Sequence, residues 1–141
     1  MKGYSEFNLF SPIETQLFRR ATAIVARVGD VDAIRCHELA RAAGRVLDLE
    51  VQDGSYGFVD HTWLWTSSLP KDLGEEYARF GFPNILDVYC PGQLPMVRLL
   101  SCKETPLPHV GWSYRPAWRP RTDIDWKIVD ALENEMLLID N

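Results

Sequence analysis

Three short segments, Ile34-Arg-Cys36-His-Glu38, Val59-Asp-His61-Thr-Trp63 and Ile85-Leu-Asp87-Val-Tyr89, supply a thiol, an imidazole and a carboxylate in chain order. A cysteine attacks a carbonyl only as its thiolate, and a histidine can take the thiol proton and later return it to a leaving group. A carboxylate on the histidine's other nitrogen fixes the ring and stabilises its cation. Asp87 sits between Ile85, Leu86, Val88 and Tyr89, where a carboxylate needs a polar partner because unpaired burial is costly. His61 is the partner expected for it. Each residue also has an ordinary use: Cys36 as a small hydrophobe in a helix stripe, His61 as a satisfied core histidine, Asp87 as a turn cap or the partner of an arginine.

The elements that must carry these groups follow from spacing. Ser11-Pro12-Ile13-Glu14 is a capping box with proline at the first helical position, and predicts a helix to about Val28, stopped at Gly29. Asp30 or Asp32 is the expected cap of a second helix running to Leu47, which puts Cys36 in its first turns, where free backbone N–H groups favour a negative charge. On this helix Cys36, Leu39, Ala40, Ala43, Val46 and Leu47 share one side and Glu38, Arg41 and Arg45 the other, with His37 on the flank. The period then changes to two. Leu49–Gly54 reads as a strand ending in an Asp53-Gly54 turn, and in Val59–Trp65 alternation puts Val59, His61, Trp63 and Trp65 together, on the side expected to meet the helices.

Residues 69–82 read as a polar excursion with a short helix around Glu75–Phe80. Ile85–Tyr89 and Met96–Cys102 are expected to pair across the Pro91-Gly92 turn. From Lys103 to Arg121, prolines interleaved with Trp112, Tyr114 and Trp118 suggest an extended surface arm. Thr122 and Asp125 resemble a capping box for a last helix over 122–139. The fold class is therefore α+β, helices packed on an antiparallel sheet, in one domain over 1–141 with a core at about 11–102.

A net charge of −5 gives no general attraction to a phosphate backbone, so nucleic acid is not an expected partner. No apolar run approaches the ~20 residues of a spanning helix, and the first residues lack a basic region followed by an apolar one. No membrane partner is expected. Three cysteines at 36, 90 and 102 include no C-x-x-C pair, which points to a reducing cytoplasmic setting with at least one free thiol. Zinc held by Cys36, His61 and Asp87, with His37 or Cys90 as a fourth ligand, lacks the C-x-x-C half of a deaminase signature. No metal and no dissociable cofactor is assigned.

The order Cys36 on a helix, His61-Thr62-Trp63 on a strand and Leu86-Asp87-Val88 on another resembles the transglutaminase-like branch of the papain-type cysteine enzymes. That branch includes bacterial cysteine proteinases and arylamine N-acetyltransferases, and Cys36-His-Glu38 is similar to the C-x-E of the latter. The resemblance spans about Asp32 to Tyr89 and implies a transglutaminase-like core, a Cys36-His61-Asp87 triad, and hydrolysis or acyl transfer at an amide or thioester-type carbonyl, with a peptide or protein as substrate. Ala33-Ile34-Arg35 stands where a glycine-rich approach often precedes the family cysteine, and no oxyanion-hole side chain is identified. Trp63, Gln52 and Trp112 are the residues assigned to the substrate. The alternative is a non-catalytic interaction domain of the same fold that binds a protein partner through its aromatic, proline-rich C-terminal third, since aromatics and arginine are enriched at binding hot spots. Oligomeric state is not readable from the sequence.

Overall fold

A computed structural model describes residues 10–28, 34–68, 83–89, 96–100, 114–117 and 119–140. Helix α1 (Pro12–Ala26) opens with the reciprocal box its sequence predicts: Ser11 Oγ accepts the Glu14 N–H at 3.1 Å and the Glu14 carboxylate accepts the Ser11 N–H at 2.8 Å. Its end is capped by Arg27 in right-handed conformation, and the expected stop, Gly29, lies outside the described residues. Helix α2 (Cys36–Leu47) has Arg35 as its N-cap without a side-chain cap. Cys36 is thus the first helical residue rather than one a turn inside; Asp30 and Asp32 lie outside the described residues.

Helix α2 is not two-sided as its charges suggested. Glu38 and Arg41, expected on an outer face, are buried along with His37, Leu39, Ala40, Ala42 and Ala43. The reason is its position: it packs against the sheet, α1 and the last helix, α3 (Trp126–Asp140). A helix enclosed in this way buries polar side chains only with partners, and both have them. Arg41 forms a two-pronged ion pair with Asp53, at 3.0 and 2.5 Å, while Glu38 takes the Arg35 guanidinium and the Asp125 N–H, the latter at 3.0 Å. Helix α3 starts at Trp126 and not at Thr122, because Asp125 supplies the cap, accepting the N–H groups of Lys127 at 3.1 Å and Ile128 at 3.3 Å.

The strands β1 (Val51–Tyr56), β2 (Val59–Trp65), β3 (Ile85–Tyr89), β4 (Met96–Leu100) and β5 (Tyr114–Pro116) form one antiparallel sheet in the order β4-β3-β2-β1-β5. The chain is thus an α+β fold of three helices and five strands among the described residues. Two expectations change here. Asp53-Gly54 is not a turn: β1 runs on to Tyr56, and Gly57, at φ 62°, makes the reversal with Phe58. Gly54 instead admits a neighbouring backbone, since a Cβ there would meet the Arg115 carbonyl oxygen at 2.1 Å. And the presumed arm is in part a strand, because 114–116 pairs with β1 and buries Tyr114.

The core lies between the helices and one face of the sheet, with Ala21, Ile24, Leu39, Ala43, Val129, Leu132 and Met136 meeting Leu64, Leu86 and Val88. Alternation therefore places Thr62 and Leu64 toward the helices. His61, Trp63 and Trp65 lie on the opposite face, contrary to the expected orientation, together with Asp87, Arg98 and Tyr114. The pairing of β2 with β3 covers Leu64–Leu86 and Trp65–Ile85; toward His61 and Tyr89 no further pair continues it among the described residues. That is the end of the sheet at which α2 begins. No helix among the described residues is long and apolar enough to cross a membrane. The excursion at 69–82, the Pro91-Gly92 turn and residues 103–113 lie outside the described residues.

Candidate active site

His61 and Asp87 meet across the unpaired end of β2 and β3. The His61 Nε2 lies 2.8 and 3.0 Å from the two Asp87 oxygens, and Asp87 is fully buried. The carboxylate has two further donors. Tyr114 Oη donates to it at 2.6 Å and Arg98 at 3.2 Å, and the same Arg98 nitrogen reaches the Tyr114 oxygen at 2.6 Å. Arg98 also stacks its guanidinium on the rings of Tyr56 and Tyr89, at 5.5 and 4.9 Å. Burial and the negative charge of Asp87 push the Tyr114 phenol far above its ordinary range, so it stays a donor.

Cys36 stands at the start of α2, half-buried and free. Its sulfur lies 3.7 Å from His37 Nδ1, and His61 acts on it as well through hydrogen bonding and charge. With Nε2 held by Asp87, Nδ1 is the nitrogen His61 has for the sulfur. Burial opposes ionisation of the thiol, but the hydrogen bonds of His37 and His61 and the charge of His61 outweigh it and bring the thiol down to about 6. Burial likewise opposes the imidazolium of His61, and the bonds to Asp87 and Cys36 outweigh it and bring the ring up to about 9. Between these values the pair is thiolate and imidazolium.

His37 belongs to a second network on the helix side of the sheet. Its Nδ1 is 2.6 Å from Thr62 Oγ1, which donates to Asp53 at 2.8 Å. Asp53 also receives the Arg41 fork and the Arg121 N–H at 3.1 Å. Adjacent residues of β2, His61 and Thr62, thus feed opposite faces of the sheet, and the sulfur at the helix start touches both networks.

The residues assigned to substrate are placed differently. Trp63 is fully buried, with its ring stacked 6.3 Å from that of His61, and walls the imidazole. Gln52 is buried with its amide engaged: Nε2 donates to Ala117 O at 2.8 Å and Oε1 accepts from Trp65 Nε1 at 3.1 Å. It braces β1 against the chain after β5 and does not point at the sulfur's surroundings. Trp112, Trp118, Cys90 and Cys102 lie outside the described residues. Among the described residues no cluster of three or more His, Cys, Asp or Glu side chains could hold a metal ion.

Sequence reasoning missed Arg98, Tyr114 and His37. Arg98 had a signal: it is the single charge in the apolar run Met96–Leu100, and hairpin pairing brings it opposite Asp87. Tyr114 had none, since its strand pairs with a segment some sixty residues earlier. Comparison of the chain with protein-family models, curated proteins and solved structures finds no match.

Proposed function

We propose that the chain is a cysteine-dependent hydrolase or acyltransferase with a transglutaminase-like core, acting on an amide or thioester-type carbonyl of a peptide or protein in the cytoplasm. The observation that carries the reading is the His61–Asp87 bond at the sheet end where α2 presents Cys36, with the thiol made acidic and the imidazole basic by their influence on each other. In the first step the Cys36 sulfur bonds to the carbonyl carbon and the carbonyl electron pair moves onto oxygen. The N–H groups of Cys36 and His37 precede the first helical bond, Leu39 N–H to Arg35 O, and offer the developing oxyanion a place at a helix start. Collapse of the adduct breaks the bond to the leaving nitrogen or sulfur, which takes the His61 proton, and leaves a thioester on Cys36. Water or an amine then attacks, giving its proton to His61 and expelling the thiolate. Asp87 holds His61 in place throughout.

The test is alkylation by iodoacetamide between pH 5 and 9, joined to mass spectrometry of Cys36 after exposure to a panel of activated acyl thioesters and anilides. The expected result is alkylation that rises through about pH 6 and an acyl adduct on Cys36, with a raised alkylation midpoint and no acyl adduct in His61→Ala. A thiol that titrates like ordinary cysteine, near ~8.5, and ignores the His61 change would overturn the reading.

A further inference from the structure

The second imidazole beside the sulfur has no part in the steps above, although it is as firmly held as the first. We propose that His37 shares its single Nδ1 hydrogen between Thr62 Oγ1 and the Cys36 sulfur, a three-centre bond oriented by a Thr62–Asp53–Arg41 chain separate from the Asp87–His61 pair. The inference rests on Cys36 being the nucleophile.

Proton counting fixes the direction of the chain. Arg41 presents two N–H groups to Asp53, and Arg121 adds a backbone N–H, partners that only an ionised carboxylate can satisfy together. Burial opposes that ionisation, but these bonds hold the Asp53 carboxyl below its usual range. An ionised Asp53 accepts only, so the hydroxyl hydrogen of Thr62, 2.8 Å away, is committed to it. A hydroxyl has one hydrogen, and toward His37 Nδ1, at 2.6 Å, the Thr62 oxygen can only accept. Nδ1 must then carry a proton. Its one hydrogen goes chiefly to Thr62, and the same nitrogen, 3.7 Å from the Cys36 sulfur, gives the sulfur the weaker share.

The His37 ring is held by its bond to Thr62 and by burial between helix and sheet. The titratable groups acting most strongly on the sulfur are His37 from its own helix and His61 from β2. The sulfur therefore has one donor that exchanges its proton during turnover and one that keeps it. The consequence is a thiolate that does not depend wholly on His61: when that ring is neutral, His37 still donates.

The experiment is a pH titration of thiolate absorbance and of iodoacetamide alkylation in the full chain, for wild type, His37→Leu, His37→Asn, His61→Ala and the His37→Leu/His61→Ala pair. The expected midpoint rises by about one unit in His37→Leu, slowing alkylation at pH 6 about fivefold. In His37→Asn, whose amide N–H stands where Nδ1–H was, it stays near wild type. His61→Ala leaves a midpoint still below ~8.5, and the double variant reaches that value. A midpoint unchanged by His37→Leu but raised by His61→Ala overturns this inference and leaves the acyl-transfer reading standing. A midpoint unmoved by His61→Ala overturns the acyl-transfer reading instead. Should His37→Leu fail to fold, nitrogen NMR of the wild-type histidines decides: His37 Nδ1 protonated from pH 5 to 9 supports the proposal, and a bare Nδ1 ends it.

Discussion

Asp87 and Asp53 are both buried carboxylates standing behind an imidazole that meets the same sulfur, on opposite faces of one sheet. Asp87 touches its ring directly, and its other donors are a phenol and one arginine N–H at 3.2 Å. Asp53 is matched by a bidentate arginine, and a hydroxyl separates it from its ring. The first arrangement sets the carboxylate directly against the histidine and raises the basicity of the ring. In the second, Arg41 neutralises the carboxylate's charge and Thr62 passes on only a dipole, which selects the hydrogen-bearing nitrogen without creating a proton acceptor. Similar side chains thus suit the proposed proton carrier on one face and the proposed fixed donor on the other, and the differences are the arginine fork on Asp53 and the hydroxyl inserted between it and its ring.

Removing the direct charge should have the largest effect. Asp87→Asn is expected to lower turnover of any acyl substrate by about 10²–10⁴, read as kcat/KM; a loss within about tenfold would mean that His61 does not rely on Asp87. Breaking the other network should show in stability. Arg41→Leu strips Asp53 of its matched cation and should cost about 3 kcal/mol in urea unfolding, while moving the thiol midpoint less than Asp87→Asn does. Equal shifts would erase the distinction between the two carboxylates. Gly54→Ala should cost about 2 kcal/mol, because the added methyl must displace the Arg115 carbonyl and with it the strand that carries Tyr114. Thermal unfolding measures the loss, and an unchanged Tm would place β5 further from Gly54.

The smallest effect is the most specific to the pair. The His61 ring, raised to about 9, contributes stability that is whole below its unfolded value near ~6.5 and is lost as pH climbs through 9. The Cys36 thiol, lowered to about 6, contributes stability that is whole above its unfolded value near ~8.5 and is lost as pH falls through 6. Between the two unfolded values, folded and unfolded chains each bind one proton at the pair, so its stability is flat with pH. In Cys36→Ala the histidine term stands alone, and stability should fall from about pH 6.5 upward by at most about 1.4 kcal/mol per unit. Urea midpoints at pH 6, 7 and 8 test this, and a flat series would show that Asp87 does not raise His61.

Much of this was legible. Asp87 announced a polar partner because four apolar neighbours make a solitary carboxylate untenable, and His61 is that partner. The face of β2 was not legible. Period-two alternation tells which residues share a side, but β2 is buried on both sides at its C-terminal half, with Leu64 on one and Trp63 and Trp65 on the other, so no polar stripe marks the helix side. Glu38 and Arg41 misled for a related reason: a charge on a helix indicates solvent only when no buried partner awaits it, and their partners, Asp125 and Asp53, are set by tertiary contact. The strand at 114–116 was hidden by Pro116 within it, which an edge strand tolerates.

One carboxylate joins the beginning of the nucleophile's helix to the beginning of the last one. Glu38, in the first turn of α2, takes the Asp125 N–H just before α3 and the guanidinium of Arg35, which also grips Asp123. The C-terminal segment is therefore a splint for the end of α2 that bears the sulfur, and clipping the chain near 120 would disarm the thiol as well as loosen the core.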